Sequence, residues 1–263
     1  MTIQEDRNFD SLVARFEEKV YATAKGDWRL KLLQEDLHFL HQSPTSLNIW
    51  DAGCGFGQIS YWLAQQGHQL TLCDLSAKML ARAQQQFAAG NIPAEFHHAA
   101  AQTLAPQLPT FDLLLLHAVL EWMVAPLSSL NTIAQQVKPG GYLSLLFYNR
   151  NAMIMKNILK GSWHLKYILD DSYLGKGKRL TPPNPQYPHI ILEHLQHAGF
   201  SIITQTGIRV FHDYLTPEVL ADSDLQELFE LEYRHCRTST FRDLGRYIHV
   251  LARREGFGSN EVC

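Results

Sequence analysis

The sequence predicts an α/β fold, a parallel sheet with helices on both of its faces. From residue 47 onward, short apolar runs alternate with amphipathic stretches of helical periodicity, which is the pattern of such a sheet. The run 111–117 is apolar at almost every position, as a central strand buried on both faces should be. With 263 residues, 46% of them hydrophobic, the chain suits one large domain or a domain with an insert.

Each element is predicted by its own local pattern. Seven strands are expected at residues 47–51, 69–74, 94–102, 111–117, 142–149, 201–211 and 246–252. Ser76 is expected to cap a helix whose Met79, Ala83 and Phe87 share one face and which closes at Gly90. A further helix is expected before the turn 137–141, and a long helix over about 217–237.

The turn after the first strand is the most informative feature. An apolar strand stops at Asp51 and runs into Gly53, Gly55 and Gly57, and a helical pattern follows. Glycine lets the backbone turn sharply and approach a ligand closely, and the next helix N-terminus offers unpaired N–H groups. A second acid, Asp74, ends the next strand 17 residues after Gly57. The turn therefore predicts a cofactor site, the alternative being a purely structural glycine turn.

The spacing of the glycines separates two classes of cofactor. The dinucleotide fingerprint needs glycine at its first, third and sixth positions, and the sixth position here is Gln58. An NAD-dependent dehydrogenase is therefore disfavoured. The pattern Asp-x-Gly-x-Gly-x-Gly, followed by an acid at the next strand end, instead resembles motif I of class I S-adenosylmethionine (SAM) methyltransferases.

Composition narrows the other possibilities. A net charge of −3 does not by itself indicate a nucleic-acid partner, and no apolar stretch approaches the length of a membrane span. The N-terminus lacks the pattern of a signal peptide. Four cysteines and 13 histidines form no metal-binding spacing. We expect a reduced cytoplasmic protein that contacts no membrane and binds no metal.

Two segments lie outside the predicted core. Residues 1–46 read as helices with an apolar stripe, which suits either core packing or a lid over the cofactor. Residues 150–185 form a basic insert, in which the stretch 153–179 holds six bases and two acids with three interleaved aromatic residues. Such a patch suits an RNA loop, whose phosphates are neutralised and whose bases stack on rings. An ordinary solvated loop is the alternative.

Several strings spread along the chain resemble one family, the bacterial tRNA 5-carboxymethoxyuridine methyltransferases. The matching strings are residues 6–10, 74–77, 117–122, 209–215 and 244–250. The resemblance implies a class I, Rossmann-like, seven-stranded sheet whose last strand enters antiparallel between its neighbours. It divides the chain into a helical lid (1–46), a SAM-binding core (47–149), the basic insert (150–185), the rest of the core sheet (186–254) and a tail (255–263).

The resemblance also implies the reaction and the cofactor site. SAM would methylate the carboxylate of 5-carboxymethoxyuridine at the wobble position of tRNA, so the partner is the anticodon region. Carried over by position, the cofactor residues are Arg29, Gly53, Cys54, Asp74, Ala101, Gln102 and His117. An arginine can hold the methionine carboxylate in a bidentate pair, an acid can accept from both ribose hydroxyls, and a glutamine can bind the adenine edge.

No catalytic base is expected, because a carboxylate is already ionised near neutral pH. The candidates for substrate binding are Tyr148, Lys176, Lys178, Arg179, Arg209, His212 and Arg246. Two alternatives stay open: a SAM enzyme acting on a small acid or an acyl chain, and a catalytically silent SAM- or RNA-binding module.

Overall fold

A seven-stranded sheet organises the protein. The computed structural model describes residues 5–17, 23–42, 45–161, 165–170 and 181–256. The strands are β1 (Asn48–Ala52), β2 (Gln69–Asp74), β3 (Glu95–His98), β4 (Phe111–His117), β5 (Val137–Tyr148), β6 (Phe200–Ile208) and β7 (Tyr247–Arg254). Their order across the sheet is β3-β2-β1-β4-β5-β7-β6, and only β7 runs antiparallel to its neighbours. The predicted fold class and the antiparallel last strand are confirmed.

Helices cover both faces of this sheet. They are α1 (Val13–Phe16), α2 (Ala24–Asp36), α3 (Gln58–Ala64), α4 (Ala77–Ala89), α5 (Ala101–Leu104), α6 (Pro126–Ala134), α7 (Arg150–Ile158), α8 (Leu165–Leu169), α9 (Pro188–His197), α10 (Pro217–Asp222), α11 (Leu225–His235) and α12 (Ser239–Arg242). No helix in the part of the chain that the structure describes is both long and apolar enough to cross a membrane.

The central strand β4 separates two hydrophobic cores. Leu114 and Leu116 pack into one core, whereas Leu113 and Leu115 pack into the other, and all four are fully buried. Alternate residues of a strand point to opposite faces of the sheet. An unbroken run of leucines is therefore what a strand covered by helices on both sides requires.

The third strand is shorter than the predicted 94–102. It ends at His98, which pairs with Asp74, the last residue of β2. Because β3 is the edge strand and β2 is its only partner, no ladder is available beyond this point. The chain instead turns into α5, so Ala101 and Gln102 lie in the first turn of a helix and not at a strand end.

The fifth strand is longer than predicted, because the turn expected at 137–141 belongs to it. Val137 pairs with Phe111, and the register then shifts so that Tyr142 pairs with Leu113. Gly140 has a φ of +79°, and a Cβ on Gly141 would lie 2.9 Å from the Asp112 carbonyl oxygen. The glycines therefore form a bulge inside a strand.

Two helix predictions also need correction. The predicted helix 217–237 is two helices, because the Asp224 side chain accepts from the backbone of Gln226 and Glu227 and starts α11 anew. Gly90 does follow α4, but its φ is −85° and not left-handed. A Cβ at position 90 would lie 2.4 Å from the Tyr61 hydroxyl, so a residue larger than glycine would displace the Tyr61 ring.

Candidate active site

A cavity opens at the carboxyl ends of β1, β2 and β4, where ligands of such sheets bind. It is lined by all seven residues predicted to bind the cofactor, namely Arg29, Gly53, Cys54, Asp74, Ala101, Gln102 and His117. They come from five separate stretches of the chain. The fold therefore brings the predicted set together, and what each residue binds remains a prediction.

Gly53 forms the floor of the cavity and cannot be replaced by a larger residue without rearrangement. Its φ is +86°, and a Cβ there would lie 2.5 Å from the Val119 Cγ2 atom. Its N–H and that of Cys54 both donate to the Cys73 carbonyl at 2.9 Å. The turn is thus fixed to β2 and leaves room where a side chain would otherwise stand.

Asp74 is held by the backbone on two sides. Its Oδ2 accepts from the Gly55 N–H at 2.8 Å, and its Oδ1 accepts from the Ser76 N–H at 2.7 Å. Burial raises the pKa of this carboxyl, and the two amides oppose that rise. Each oxygen keeps a further lone pair, so Asp74 can still accept from the two hydroxyls of a ribose.

Gln102 presents an acceptor that lacks a partner. Its Nε2 donates to the Asp6 carboxylate, while its Oε1 is buried without a hydrogen bond. A buried polar atom normally has a partner, and this side chain lines the cavity. An adenine amino group would satisfy it, so the cavity fits the adenosyl end of SAM.

The segment 6–10 crosses the cavity between the loops that follow β2 and β4. Asp6 accepts from the Val124 N–H at 2.8 Å, the Phe9 ring meets the Trp122 ring edge-on at 4.8 Å, and Asp10 accepts from the Ser76 hydroxyl at 2.5 Å. Asp6, Arg7 and Phe9 line the cavity. Asp6 was not among the predicted site residues, although it lies in the family-like string 6–10.

His117 ends a buried chain of hydrogen bonds. Its Nε2 lies 2.8 Å from the Ser144 hydroxyl, which lies 2.8 Å from the His249 Nε2, and His249 Nδ1 lies 2.7 Å from Asp36 Oδ2. Arg237 donates to the other Asp36 oxygen at 2.6 Å. Burial holds the His117 pKa well below its usual value, and the Arg29 charge acts in the same direction. His117 is therefore a neutral ring that lines the cavity.

A second cluster lies at the start of β7 and the end of β6. Arg209 Nε lies 3.5 Å from Asp213 Oδ1, and Arg246 Nε lies 3.4 Å from Asp213 Oδ2. The Arg246 guanidinium lies over the Tyr148 ring at 4.6 Å. Three of the substrate-binding candidates are thus in contact around one carboxylate.

The other substrate-binding candidates do not share this arrangement. His212 is buried against the cluster: its ring lies edge-on to Trp28 at 5.3 Å, its Nδ1 lies 3.3 Å from Asp213 Oδ1, and only 7% of its side chain is exposed. Lys176, Lys178 and Arg179 lie outside the described residues. Within those residues, no group of histidine, cysteine and acidic side chains could hold a metal ion.

Glu121, next to the cavity-lining Trp122 in the chain, was not predicted from the sequence. It is completely buried, and burial raises its pKa to about 8, with backbone amides and the Arg29 charge opposing the rise. Burial, and after it the Glu121 charge, raise the pKa of Tyr247, which Arg209, Arg29 and Arg246 lower. Glu121 thus interacts electrostatically with Arg29 of the cavity and with Tyr247, over whose ring Arg209 lies at 5.4 Å.

Comparisons with known proteins agree with this geometry. A family model described as a methyltransferase domain matches residues 50–145. The tRNA 5-carboxymethoxyuridine methyltransferase of Escherichia coli (strain K12) is 41% identical over 255 residues, which cover 95% of this chain and 97% of the relative. The ubiquinone biosynthesis O-methyltransferase of Chromobacterium violaceum is 27% identical over 169 residues, 64% of this chain and 70% of the relative.

A solved structure shows the same fold. The magnesium protoporphyrin IX methyltransferase of Synechocystis PCC 6803, with SAH bound, superposes with a TM-score of 0.61 at 17% identity, covering 94% of this chain and 96% of that chain. The sheet order, the cavity and the domain match define a class I SAM-dependent methyltransferase. The near full-length match goes further: the chain belongs to the family of tRNA 5-carboxymethoxyuridine methyltransferases. The predicted family, enzyme class and SAM cofactor are confirmed.

Proposed function

We propose that this protein transfers a methyl group from SAM to the carboxylate of 5-carboxymethoxyuridine at the wobble position of tRNA, giving the methyl ester. The observation that carries the proposal is the 41% identity to the Escherichia coli relative of that name, because it extends over 95% of the chain. The match therefore includes the segments before β1 and after β5, and not the methyltransferase core alone.

The polarity of the cavity supports one orientation of the cofactor. Arg29 would pair with the methionyl carboxylate, Asp74 would accept from the ribose hydroxyls, and Gln102 Oε1 would accept from the adenine amino group. If a neutral His249 donates to Asp36 and accepts from Ser144, His117 Nε2 donates to Ser144, and His117 Nδ1 is then an acceptor that suits the methionyl ammonium. When bound, SAM supplies a methyl group on a positively charged sulfur.

The acceptor needs orientation and no deprotonation. A simple carboxylic acid has a pKa of about 3–4 and is ionised near neutral pH. A carboxylate oxygen forms the new bond to the methyl carbon while the carbon–sulfur bond breaks, and no proton is released. Catalysis then rests on holding the oxygen in line with that bond. The protein's task is positioning, which agrees with the absence of a predicted catalytic base.

Mass spectrometry of tRNA nucleosides from cells lacking this protein tests the proposal. We expect the free acid to accumulate and the methyl ester to disappear, and the parent gene to restore the ester. Asp74→Ala, expected to weaken SAM binding by about 1–3 kcal/mol through lost charged hydrogen bonds, should restore it poorly. Glu230→Gln, an exposed acid on α11, is the matched control and should restore it fully.

An assay with the purified protein distinguishes a tRNA substrate from a small acid or an acyl chain. It would be incubated with labelled SAM and either tRNA from the deletion cells or a panel of carboxylic acids. Label entering the tRNA alone supports the proposal. Unchanged tRNA nucleosides in the deletion cells, together with label entering a small acid, would contradict it.

A further inference from the structure

The arginine cluster carries more positive charge than its own carboxylate neutralises. Arg209 and Arg246 share Asp213, and Lys156 also acts on both Asp213 and Arg246. The two arginine side chains are only 12% and 19% exposed. The buried Arg209 Nε lies within ion-pair distance of Asp213 but makes no hydrogen bond to any residue that the structure describes. Partly buried cations without a counter-charge are costly, so this arrangement suits an additional anion.

Among the described residues, the other nearby acids form no ion pair with these arginines. Glu232 is fully engaged by the backbone, accepting from the N–H groups of Val210, Phe211 and His212 at 2.6, 3.0 and 2.7 Å. The pKa of Glu121, about 8, keeps that carboxyl protonated near neutral pH. Asp213 is thus the acid that faces the cations among the described residues.

The backbone of the cluster is built for a fixed geometry. Arg209 has a φ of +61°, a left-handed conformation that is uncommon for residues other than glycine and is often found at functional sites. The three N–H groups that follow it are held by Glu232, and the Tyr214 hydroxyl donates to the Leu244 carbonyl at 2.5 Å. The Arg209 side chain is therefore oriented before any ligand arrives.

The position of the cluster relates it to the cofactor. Leu146 lines the cofactor cavity and pairs with both His117 and His249. Tyr148 lies two residues further along β5, so its side chain is on the same face, about 7 Å along the strand. Arg246 lies over the Tyr148 ring. Arg246 and its neighbour Arg209 therefore lie beyond the cavity, about two residues further along β5. An acceptor placed next to a bound methyl donor would approach from this side.

We propose that Arg209 and Arg246 bind the carboxylate of the acceptor nucleotide, with Asp213 holding the two guanidinium groups in place. This inference rests on the proposed function and names the site for its substrate. Guanidinium groups match carboxylates in shape and donor geometry. Because Asp213 already offsets part of their charge, the arginines orient the acceptor without neutralising the oxygen that attacks the methyl carbon.

The test compares two RNAs that differ only in the acceptor group. Anticodon stem–loops carrying 5-carboxymethoxyuridine or the uncharged 5-methoxyuridine would be titrated into the SAH-bound protein. The parent should prefer the carboxylate RNA. Arg246→Gln should weaken that RNA about tenfold, the scale of a hydrogen bond to a charged group, and should leave the 5-methoxyuridine RNA within about twofold. Arg209→Gln should behave alike.

A matched arginine on the same strand serves as control. Arg253 lies at the far end of β7, where its Nε donates to the Gly140 carbonyl at 3.1 Å, so Arg253→Gln should change neither affinity. SAM affinity and thermal melting of each variant report whether it folds. If Arg246→Gln fails to fold, Arg246→Lys takes its place in the test, because lysine keeps the charge but lacks the planar guanidinium fork. Arg246→Lys should lower the affinity for the carboxylate RNA a few-fold and leave the affinity for the 5-methoxyuridine RNA unchanged.

Three results would overturn the proposal: no preference in the parent, equal losses for both RNAs, or no loss in either variant. Equal losses would indicate that the arginines contact a phosphate of the RNA. The proposed function fails separately, and only if the parent does not methylate the carboxylate RNA when SAM is present.

Discussion

Two sites lie at the carboxyl edge of the sheet: the cofactor cavity and the cluster of Arg209 and Arg246 proposed to bind the acceptor. The glycine turn and the acid of the cofactor cavity stand next to strands in short sequence motifs, whereas the two arginines come from distant parts of the chain. Gly53 and Cys54 follow β1 directly, Asp74 is the last residue of β2, and all three were predicted from the glycine turn and the acid that ends the next strand. Arg209 and Arg246 are 37 positions apart, and each had only its presence in a family-like string to recommend it.

The difference reflects what each side must bind. A cofactor shared by a large class of enzymes is held mainly by backbone turns, whose glycines and acids leave a readable pattern. An acceptor is held by side chains on loops, which vary freely around a constant scaffold. The two sides should therefore respond differently to substitution, which four predictions make testable.

The largest effect is expected for Gly53→Ala. The left-handed φ and the 2.5 Å approach to Val119 together should lower SAM affinity on the order of 100-fold. Calorimetry with SAM measures this, and adding Val119→Ala should recover the part that comes from the contact. RNA affinity in the absence of SAM should stay near the parent value. Comparable losses of SAM and RNA binding would show that the two sides are not independent.

The second prediction concerns Glu121, which interacts electrostatically with Arg29 on the cofactor side and with Tyr247 on the acceptor side. Its folded pKa of about 8 lies above the ordinary value of 4.5, so the folded protein binds this proton more tightly than the unfolded chain does. The resulting stability is present below about pH 4.5 and is lost as the pH rises toward 8. Glu121→Gln removes the titration and should be more stable than the parent at pH 8.5, by a few kcal/mol at most.

Urea unfolding at pH 6 and pH 8.5 measures that difference, with the exposed Glu230→Gln as control. An equal dependence on pH in the parent and in Glu121→Gln would mean that the carboxyl is ionised in the fold. Asp51, whose pKa burial raises to about 7, should contribute a residual slope in the same direction.

A smaller effect is expected for Ser144→Ala, which breaks the chain from His117 to Asp36 at its centre. With Asp36 ionised beside Arg237, His249 donates through Nδ1, Ser144 donates to His249 Nε2, and His117 donates to Ser144. This order leaves His117 Nδ1 as an acceptor. Loss of this acceptor should lower the affinity for SAM several-fold, which corresponds to about 1 kcal/mol for one hydrogen bond.

Thr206→Val provides the matched control for Ser144→Ala. Thr206 is fully buried opposite His249, and its hydroxyl makes no hydrogen bond, so removing it should not change SAM affinity. Nitrogen chemical shifts of His117 report its tautomer directly. An unchanged tautomer in Ser144→Ala would show that the hydrogen-bonded chain does not set it.

The smallest effect is an expected absence of change. The acceptor carboxylate is already ionised. Arg209, His212 and Arg246 hold the Asp213 pKa far below its ordinary value against the opposing effect of burial. The His117 pKa lies well below 6.5. Single-turnover methylation of tRNA bearing the free acid should therefore be nearly constant from about pH 6 to 8.5. A tenfold loss per pH unit on the acidic side, abolished in one point mutant, would reveal a general base on either side.

Prediction from sequence succeeded where a local rule determines the outcome. The bounds of β2 and β4 match the structure, because each is a short apolar or alternating stretch of typical strand length with turn residues on either side. The end of β3 was wrong, since it depends on where the neighbouring strand stops. The bulge in β5 was missed for the same reason: it arises from pairing with β4 and not from its own glycines alone.

The sequence by itself determined the α/β class, the glycine turn with its acids, and hence the cofactor. These features depend on residues within about 30 positions of one another, where chain connectivity already brings them together. The acceptor cluster was decided by the tertiary structure. Inserting β7 antiparallel between β5 and β6 places its first residue at the edge where the parallel strands end. Only that topology sets Arg246 over Tyr148 and beside Asp213 and Arg209, because no local pattern encodes a contact made across three strands.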